Sequence, residues 1–152
     1  MTNIDIARAI LADNQYVVLA TADSDGTPWA TPVWYATDDN HHLYWISAPA
    51  ARHSENISVR PDIAMVVFDS TVPPDTGQAV YMIGTARQIA DHDDTPHGLE
   101  IFSRKSTHRG GRAFTIDHVT GEARNRLYCA TVEQHYILDP DSPYDERTSV
   151  QL

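Results

Sequence analysis

Apolar residues in the chain follow a helical spacing first and strand-like spacings after it. Between residues 4 and 11 they recur every three or four positions, which predicts one face of a helix that Asn3 can cap. Further on, β-branched and aromatic residues form short runs separated by turn residues, a pattern typical of β-strands. We expect these strands at residues 16–21, 29–36, 42–47, 63–68, 78–89 and 126–138.

The turns between these runs predict how the strands are connected. Residues 24–28, Ser-Asp-Gly-Thr-Pro, predict a hairpin between the first two strands, and a second turn at 37–40 leads into the third. We therefore expect the first three strands to form a meander. The run at 63–68 is almost entirely apolar, which predicts a strand covered on both faces. Gly84 predicts a bend or bulge in the long strand at 78–89.

Two further helices complete the prediction. Residues 50–59 fit a short helix that ends at Arg60-Pro61, because the residue before a proline avoids helical angles. Residues 93–106 fit another, with Asp94 or Thr95 as its cap and Pro96 in its first turn. Residues 107–124 show no clear period and predict a loop with room for a short helix. Short strands with few helices favour a mostly β fold, a barrel or a sandwich.

The length of 152 residues predicts a single domain, with the barrel at 1–138 and a C-terminal tail at 139–152. The tail is acidic and lacks periodicity, so we expect Tyr144 at most to hold it in place. No run approaches the roughly 20 apolar residues that cross a bilayer, and no signal segment begins the chain, so we expect a cytoplasmic protein without a membrane association. The single cysteine, Cys129, lies in a strand pattern and predicts a packed thiol.

Charge and motifs exclude several function classes. A net charge of -10 with a pI near 5.0 disfavours nucleic acid as a partner. Neither a P-loop nor a Rossmann glycine fingerprint is present in the sequence. There is no cysteine pair, and adjacent His41 and His42 would point to opposite faces of an extended segment, so we expect no metal site.

The segment from residue 45 to 57 carries the clearest chemical signal. A strand ends there, turns, and enters a helix that begins near Arg52 and His53. Free backbone N–H groups and the helix dipole attract an anion at such a point, and an arginine can fork onto two phosphate oxygens. The pattern therefore fits a phosphate site, and a capped surface helix is the alternative interpretation.

Two other sets of side chains allow both a binding role and a structural role. The basic residues near the third helix could form a groove for an anionic ligand or a solvated loop; they are Arg104, Lys105, Arg109 and Arg112. Aromatic residues in the first strands could stack on a planar ring, but in strands they more often fill the core. They are Trp29, Trp34, Tyr35, Tyr44 and Trp45.

In their order along the chain, several segments resemble the pyridoxamine 5'-phosphate oxidase-like family of FMN-binding split barrels. The resemblance covers most of the chain. The matching segments are YVVLAT at 16–21, DGTP at 25–28, ATPVWY at 30–35, LYWIS at 43–47, RHSENI at 52–57, PDIAMV at 61–66 and GQAVYMIGTA at 77–86.

The resemblance implies a six-stranded split β-barrel that forms a homodimer, with two FMN sites built from both subunits. It places the cofactor against the strand of Thr31, Pro32, Val33 and Trp34, beside Ile46 and Ser47, and near Gln78. The family's Ser-Arg-Lys phosphate motif falls on residues 51–53. Arg52 matches it, but His53 stands where the family has lysine, which weakens the expected phosphate contact at pH 7.

The resemblance also implies an FMN-dependent oxidoreductase that acts on a small molecule. Sister families with the same fold use a deazaflavin coenzyme, whose longer anionic tail could run over the basic residues named above. A third possibility is a flavin- or haem-binding module without turnover. The family's pyridoxal-specific Arg-x-His element has no counterpart near the C-terminus, so we do not expect pyridoxine phosphate oxidation.

Overall fold

The computed structural model describes residues 1–90 and 95–152, and within them the fold is mostly β. The helices are α1 (Asn3–Asp13), α2 (Arg52–Val59) and α3 (Thr95–His108), with a 3-10 turn at Ile116–His118. The strands are β1 (Tyr16–Ala22), β2 (Pro28–Trp34), β3 (His42–Ser47), β4 (Asp62–Phe68), β5 (Ala79–Gln88), β6 (Arg126–Leu138) and β7 (Arg147–Val150). The predicted elements are all present with small shifts of their ends, except that Asp93 and Asp94 lie outside the described residues.

All the strands belong to one antiparallel sheet that curls into a split barrel. The order across the sheet is β2-β1-β4-β5-β6-β3, and β7 pairs with the C-terminal half of β6. Just after β2, Ala36 forms an isolated bridge with Tyr44 of β3, and the two residues exchange backbone hydrogen bonds of 3.0 and 2.8 Å. The split β-barrel prediction is confirmed, with seven strands in place of six.

The predicted meander of the first three strands is wrong. β1 and β2 form the expected hairpin, with Tyr16 opposite Trp34 and Ala22 opposite Pro28. β3, however, pairs along its whole length with β6. The turn residues after β2 do mark a change of direction, as predicted. The chain then crosses to the far edge of the sheet, however, and local turn residues do not encode this long-range pairing.

Apolar residues on the two sides of the sheet form two cores. The larger one fills the barrel and includes Trp45, Leu19 and Met82. The smaller one lies between α3 and the outer face of β3 and β6, where Tyr44, Phe102 and buried Cys129 pack. Tyr35, Tyr44 and Trp45 are fully or almost fully buried, so the predicted core role is confirmed for these three. It is wrong for Trp29, which is 41% exposed.

Gly84 marks the predicted bulge, since the pairing of β5 with β6 shifts register between Ile83 and Gly84. A β-carbon at Gly84 would collide with the backbone carbonyl of Thr131, so only glycine lets the two strands approach this closely.

Three further expectations need correction. The cap of α1 is Thr2, not Asn3: its hydroxyl accepts from the Asp5 N–H, and the Asp5 carboxylate accepts from the Thr2 N–H in return. The tail is held by β7, whereas Tyr144 is 74% exposed. β4 is covered on one face only, because its residues alternate between buried and accessible within this chain.

Candidate cofactor site

The open end of the barrel is set by the direction of β2 and β3. The chain after β2 and the strand β3 run antiparallel where Ala36 and Tyr44 meet. The start of β2 and the end of β3 therefore lie at the opposite end of the barrel, where their described residues do not pair. The chain leaves β3 at Ser47 and begins α2 at Arg52, so α2 begins at this opening. The helix then packs against β1, β2 and β5.

The first turn of α2 has no side-chain cap. Ala51 occupies the N-cap position in an extended conformation, and it offers no side-chain oxygen to the N–H groups that follow. The first N–H groups of a helix have no partner within the helix, and they lie at the positive end of its dipole. This turn can therefore accept an anionic group.

Arg52 lies over an aromatic ring at the same point. The central carbon of its guanidinium group is 4.4 Å from the centroid of the Trp29 ring, and Trp29 is 41% exposed. Among the described residues no hydrogen bond or ion pair engages this guanidinium group. The cation–π contact holds the side chain, while its N–H groups are available to a ligand.

Asp23 brings a negative charge into the neighbourhood of Arg52. A backbone hydrogen bond from Thr27 lowers the pKa of the Asp23 carboxyl most, and the N–H of Asp25 and the charge of Arg52 lower it further. Both backbone N–H groups donate to the Oδ1 atom of Asp23, and the carboxylate forms no ion pair with Arg52.

His53 is directed at the end of β3. Its Nε2 lies 2.8 Å from the hydroxyl oxygen of Ser47, and the ring is almost completely buried. Burial lowers the pKa of His53 below its usual value, so the ring is neutral at pH 7. The histidine that replaces the family's lysine therefore adds no positive charge and instead connects α2 to Ser47.

A second polar connection ties α2 to the barrel. The Asn56 side-chain amide donates to the hydroxyl of Thr21 over 3.0 Å, and that hydroxyl donates to the carbonyl of Trp29 over 3.3 Å. Asn56 and Thr21 are both buried. Sequence reasoning missed this pair, although a polar residue on the buried face of a short helix was a usable signal.

The strand predicted to line the cofactor is at the edge of the sheet order. β2 pairs with β1 on one side, which leaves part of its backbone accessible on the other. Thr31 is half-buried, Pro32 is exposed and Val33 packs into the barrel. Trp34 lies at the other end of the strand, where its indole N–H donates to Gln15 over 3.1 Å.

The structure does not bring the remaining predicted side chains to the α2 corner. Ile46 packs into the core beneath α3, while the next residue, Ser47, points to the opposite side as strand geometry requires. Gln78 lies beside Phe68 and Leu138, at the far end of β4, and its amide is bonded to the backbone N–H and carbonyl of Leu138. Within one chain Gln78 is therefore a structural contact between β5 and β6.

Other histidines of the described residues make contacts within the fold. His41 and His135 meet edge to face at 5.4 Å, and His42 bonds to Asp39 at the surface. Within residues 1–90 and 95–152, no cluster of three or more His, Cys, Asp or Glu side chains has the arrangement of a metal site.

Five clefts formed by the described residues have volumes of about 270 to 650 Å³, and Arg52, His53 and Ser47 do not line these five. None of the described helices is long and apolar enough to span a membrane.

Comparison with protein families decides the membership of this chain. The family model described as pyridoxamine 5'-phosphate oxidase matches residues 5–136, which is most of the chain. The chain belongs to the pyridoxamine 5'-phosphate oxidase family. A comparison with curated proteins gave no significant match.

Solved structures of low sequence identity share the split-barrel fold of this family. A heme binding protein from Mycobacterium smegmatis has a TM-score of 0.75 at 16% identity, over 99% of this chain and 58% of that protein. A FAD-binding protein from Mesorhizobium loti has a TM-score of 0.64 at 18% identity, over 90% of this chain and 94% of that one. An F420 reductase has a TM-score of 0.61 at 20% identity, over 85% and 94%. At these identities the likeness establishes the fold.

Proposed function

We propose that this protein binds FMN at the α2 corner and uses it as an oxidoreductase on a small molecule. The observation that carries the proposal is the position of Arg52. Its guanidinium group rests on Trp29 without a hydrogen bond to any described residue, beside the uncapped first turn of α2. Hydrogen-bond donors held in place beside a helix N-terminus suit a phosphate group.

The residues present at the corner fit the phosphate end of FMN. Arg52 can donate two parallel hydrogen bonds to phosphate oxygens, and the backbone N–H groups of the first turn can donate others. The Ser47 hydroxyl lies at the entrance to the same turn, fixed by His53. The accessible edge of β2 near Thr31 offers backbone groups to a planar ring, the role that the family resemblance assigns to it.

The chain's own contribution to the reaction is to bind and orient. FMN supplies the electron chemistry when it is bound, and the protein sets the position of the ring and the access of substrate. His53 is neutral and turned toward Ser47, so it serves to position the turn and is not placed as a proton donor. A flavin oxidoreductase of this kind does not require a charged acid or base at the corner.

A second copy of the chain would complete the site. The outer face of β1, β4, β5 and β6 carries a cleft of about 360 Å³ whose lining is almost entirely apolar. Phe68 and Ile83 are each 47% exposed on this face, and Tyr16 is 58% exposed. An apolar patch of this kind on a barrel marks an interface. A homodimer through this face would also cover the second side of β4, as its apolar sequence predicted.

Two alternative functions are compatible with the same fold but involve a ligand other than FMN. The likeness to an F420 reductase supports a deazaflavin coenzyme, and the likeness to a heme binding protein supports a carrier without turnover. Arg104, Lys105 and Arg109 do line one cleft, as the deazaflavin alternative requires, but Arg112 lies over Phe114 instead. That cleft is at the other end of β2 from Arg52, which favours FMN.

FMN titration of the purified protein tests the proposal. We expect quenching of flavin fluorescence that saturates at one FMN per chain, with FMN held more tightly than a deazaflavin coenzyme or haem. Reduction of the bound flavin and its reoxidation by a panel of small acceptors would then distinguish the enzyme from a carrier. A protein that stays colourless, with flavin fluorescence unquenched, contradicts the proposal.

A further inference from the structure

A basic cleft lies at the end of the barrel away from the α2 corner. It has a volume of about 580 Å³ and is formed by the C-terminal half of α1, the turn at 37–40 and the last turns of α3. Clefts that hold small molecules commonly have volumes of 300 to 1,000 Å³, on the order of this one. The proposed flavin site does not use it.

The charge of this cleft is opposite to that of the protein. The chain carries 11 lysine and arginine residues and a net charge of -10. Four of those cations line the cleft, with two acidic residues beside them; the cations are Arg8, Arg104, Lys105 and Arg109, and the acids are Asp13 and Asp38. His108 also contributes to the lining. The cleft is thus a local positive region on an acidic protein, which concentrates anions.

Two of the cations are bonded to backbone carbonyls beside the cleft; Lys105 is half-buried and Arg109 is exposed. The Lys105 ammonium donates to the carbonyls of Tyr35 and Asn14 over 2.8 and 3.2 Å and lies 4.0 Å from the centroid of the Tyr35 ring. One Nη atom of Arg109 donates to the carbonyls of Ala12 and Asp13, each over 3.2 Å. These bonds satisfy the carbonyls of Ala12 and Asp13 at the end of α1 and that of Asn14 after it. They also hold the two side chains in place.

Both Lys105 and Arg109 have N–H groups that these carbonyls do not use. An ammonium group has three N–H bonds, and a guanidinium group has five. Lys105 uses two of its three in the bonds to carbonyls, and Arg109 uses only those on one nitrogen. The remaining donors are available to a ligand in the cleft.

The other two cations lie at the rim. Arg8 is exposed on α1, and the Arg104 side chain on α3 is 61% exposed, with only a long 4.0 Å contact to Glu100. An exposed pair at that distance contributes little to stability. The rim arginines can therefore be exchanged without loss of a buried contact.

The cleft is separate from the corner that holds Arg52. Trp29 and Arg52 lie at the start of β2, whereas residues 37–40 follow the end of β2. The seven residues of β2 span about 20 Å. A phosphate at Arg52 and an anion in this cleft are two different binding events in one chain.

We propose that this cleft binds a small molecule that carries two or more negative charges, such as a polycarboxylate or a phosphate ester. Lys105 and Arg109, which are bonded to backbone carbonyls, and the exposed Arg8 and Arg104 can surround such a group from two sides. Arginine recognises carboxylate and phosphate through the same paired hydrogen bonds, so the structure assigns the charge class.

Anion binding in this cleft should depend on pH because Lys105 titrates near neutral pH. Burial lowers the pKa of the Lys105 amine to about 8, and the nearby charge of Arg109 adds to this shift. The other charged or titratable groups that line the cleft are Arg8, Asp13, Asp38, Arg104 and His108. A bound anion favours the charged amine and raises its pKa. Anion affinity should therefore fall as the pH rises through 8, with proton uptake on binding.

Calorimetry with pyrophosphate and with citrate at low ionic strength tests the proposal. We expect saturable binding of at least one of them at one site per chain, and about a tenfold or greater loss of affinity in the double variant Arg8→Ala with Arg104→Ala. Arg124→Ala removes the same type of charge from an exposed position outside the cleft and serves as the matched control. Equal melting temperatures of the variants would show that the fold is intact.

The outcomes separate this proposal from the proposed flavin site. Arg52→Ala should leave the affinity for pyrophosphate or citrate unchanged, and the rim double variant should leave FMN binding unchanged. The proposal is overturned if neither anion binds, if the double variant binds as tightly as the original protein, or if Arg124→Ala weakens binding as much as the double variant does.

Discussion

The Nε2 atom of His53 lies 2.8 Å from the hydroxyl oxygen of Ser47, which joins the first turn of α2 to the last residue of β3. The two residues border the turn 48–51, so this bond fixes the approach to Arg52. Where the family motif has a lysine, this protein thus has a neutral contact that shapes the turn. In the proposed FMN site, phosphate recognition would therefore rest on Arg52 and the backbone.

The buried imidazole predicts how stability depends on pH. Burial lowers the pKa of His53 from its ordinary value of 6.5, so the unfolded chain binds the proton more readily than the folded one. Stability is therefore full above pH 6.5 and decreases as the pH falls through the lowered folded-state value. His53→Gln, which keeps a polar side chain, should show a shallower loss of melting temperature between pH 7 and 5.

His135 is the control for this measurement. Burial lowers the pKa of His135 as well, so it adds to the acid sensitivity of both proteins and cancels in their difference. Identical pH dependence of the melting temperature in the two proteins would show that His53 is not held neutral by burial.

The Asn56–Thr21 hydrogen bond should stabilise the corner. Thr21→Val keeps the shape of the side chain and leaves the buried amide of Asn56 without its acceptor. An unsatisfied buried polar group costs about 1 to 3 kcal/mol of unfolding free energy, which urea denaturation measures. Thr107→Val, at an exposed position of α3, is the control and should change the free energy little. A Thr21→Val protein as stable as this control would contradict the assigned contact.

Gly84 should tolerate no side chain. Gly84→Ala places a methyl group against the Thr131 carbonyl in the paired region of β5 and β6, so the strands must separate. Overpacking of this kind costs about 1 to 3 kcal/mol. Gly77→Ala is the matched control, because the nearest atom to its new methyl group is 4.0 Å away. Equal stability of the two variants in a denaturation series would refute the close approach at Gly84.

The apolar outer face should control both dimerisation and flavin binding. Ile83 is 47% exposed there, so Ile83→Arg adds a charge to the proposed interface without removing a buried side chain of the barrel. Light scattering should show a monomer, and FMN affinity should fall because the second subunit no longer completes the site. Val72→Arg changes another exposed apolar residue, at 39% exposure, outside that face. A dimeric Ile83→Arg protein would place the interface elsewhere.

The sequence predicted most elements because their signals are local. Alternation and the turn at 24–28 located β1 and β2, and Gly84 located the bulge. The pairing of β3 with β6 could not be predicted in this way, since it joins Tyr44 to Cys129 across most of the chain. Sequence neighbours usually pair, which is why the meander was expected.

Part of the α2 corner could be located from the sequence because its signals are also local. Ser47, Arg52 and His53 lie within seven residues of each other, so one segment revealed them together. The contact of Arg52 with Trp29 and that of Asn56 with Thr21 depend on how α2 packs on the barrel, and Asn56 lies 35 positions after Thr21 in the sequence. The apolar sequence of β4 predicted two covered faces, but the strand is covered on one face only within this chain. The second face would be covered in the homodimer that we propose.

The most direct test of the central claim compares FMN with riboflavin, which lacks the phosphate. The original protein should bind FMN more tightly, and Arg52→Ala should weaken FMN binding about tenfold or more while riboflavin affinity stays the same. Arg112→Ala is the matched control, because Arg112 also lies over an aromatic ring, 4.7 Å from the centroid of Phe114. If Arg52→Ala weakens both ligands equally, or neither, Arg52 does not hold the phosphate and the assignment of the cofactor site is wrong.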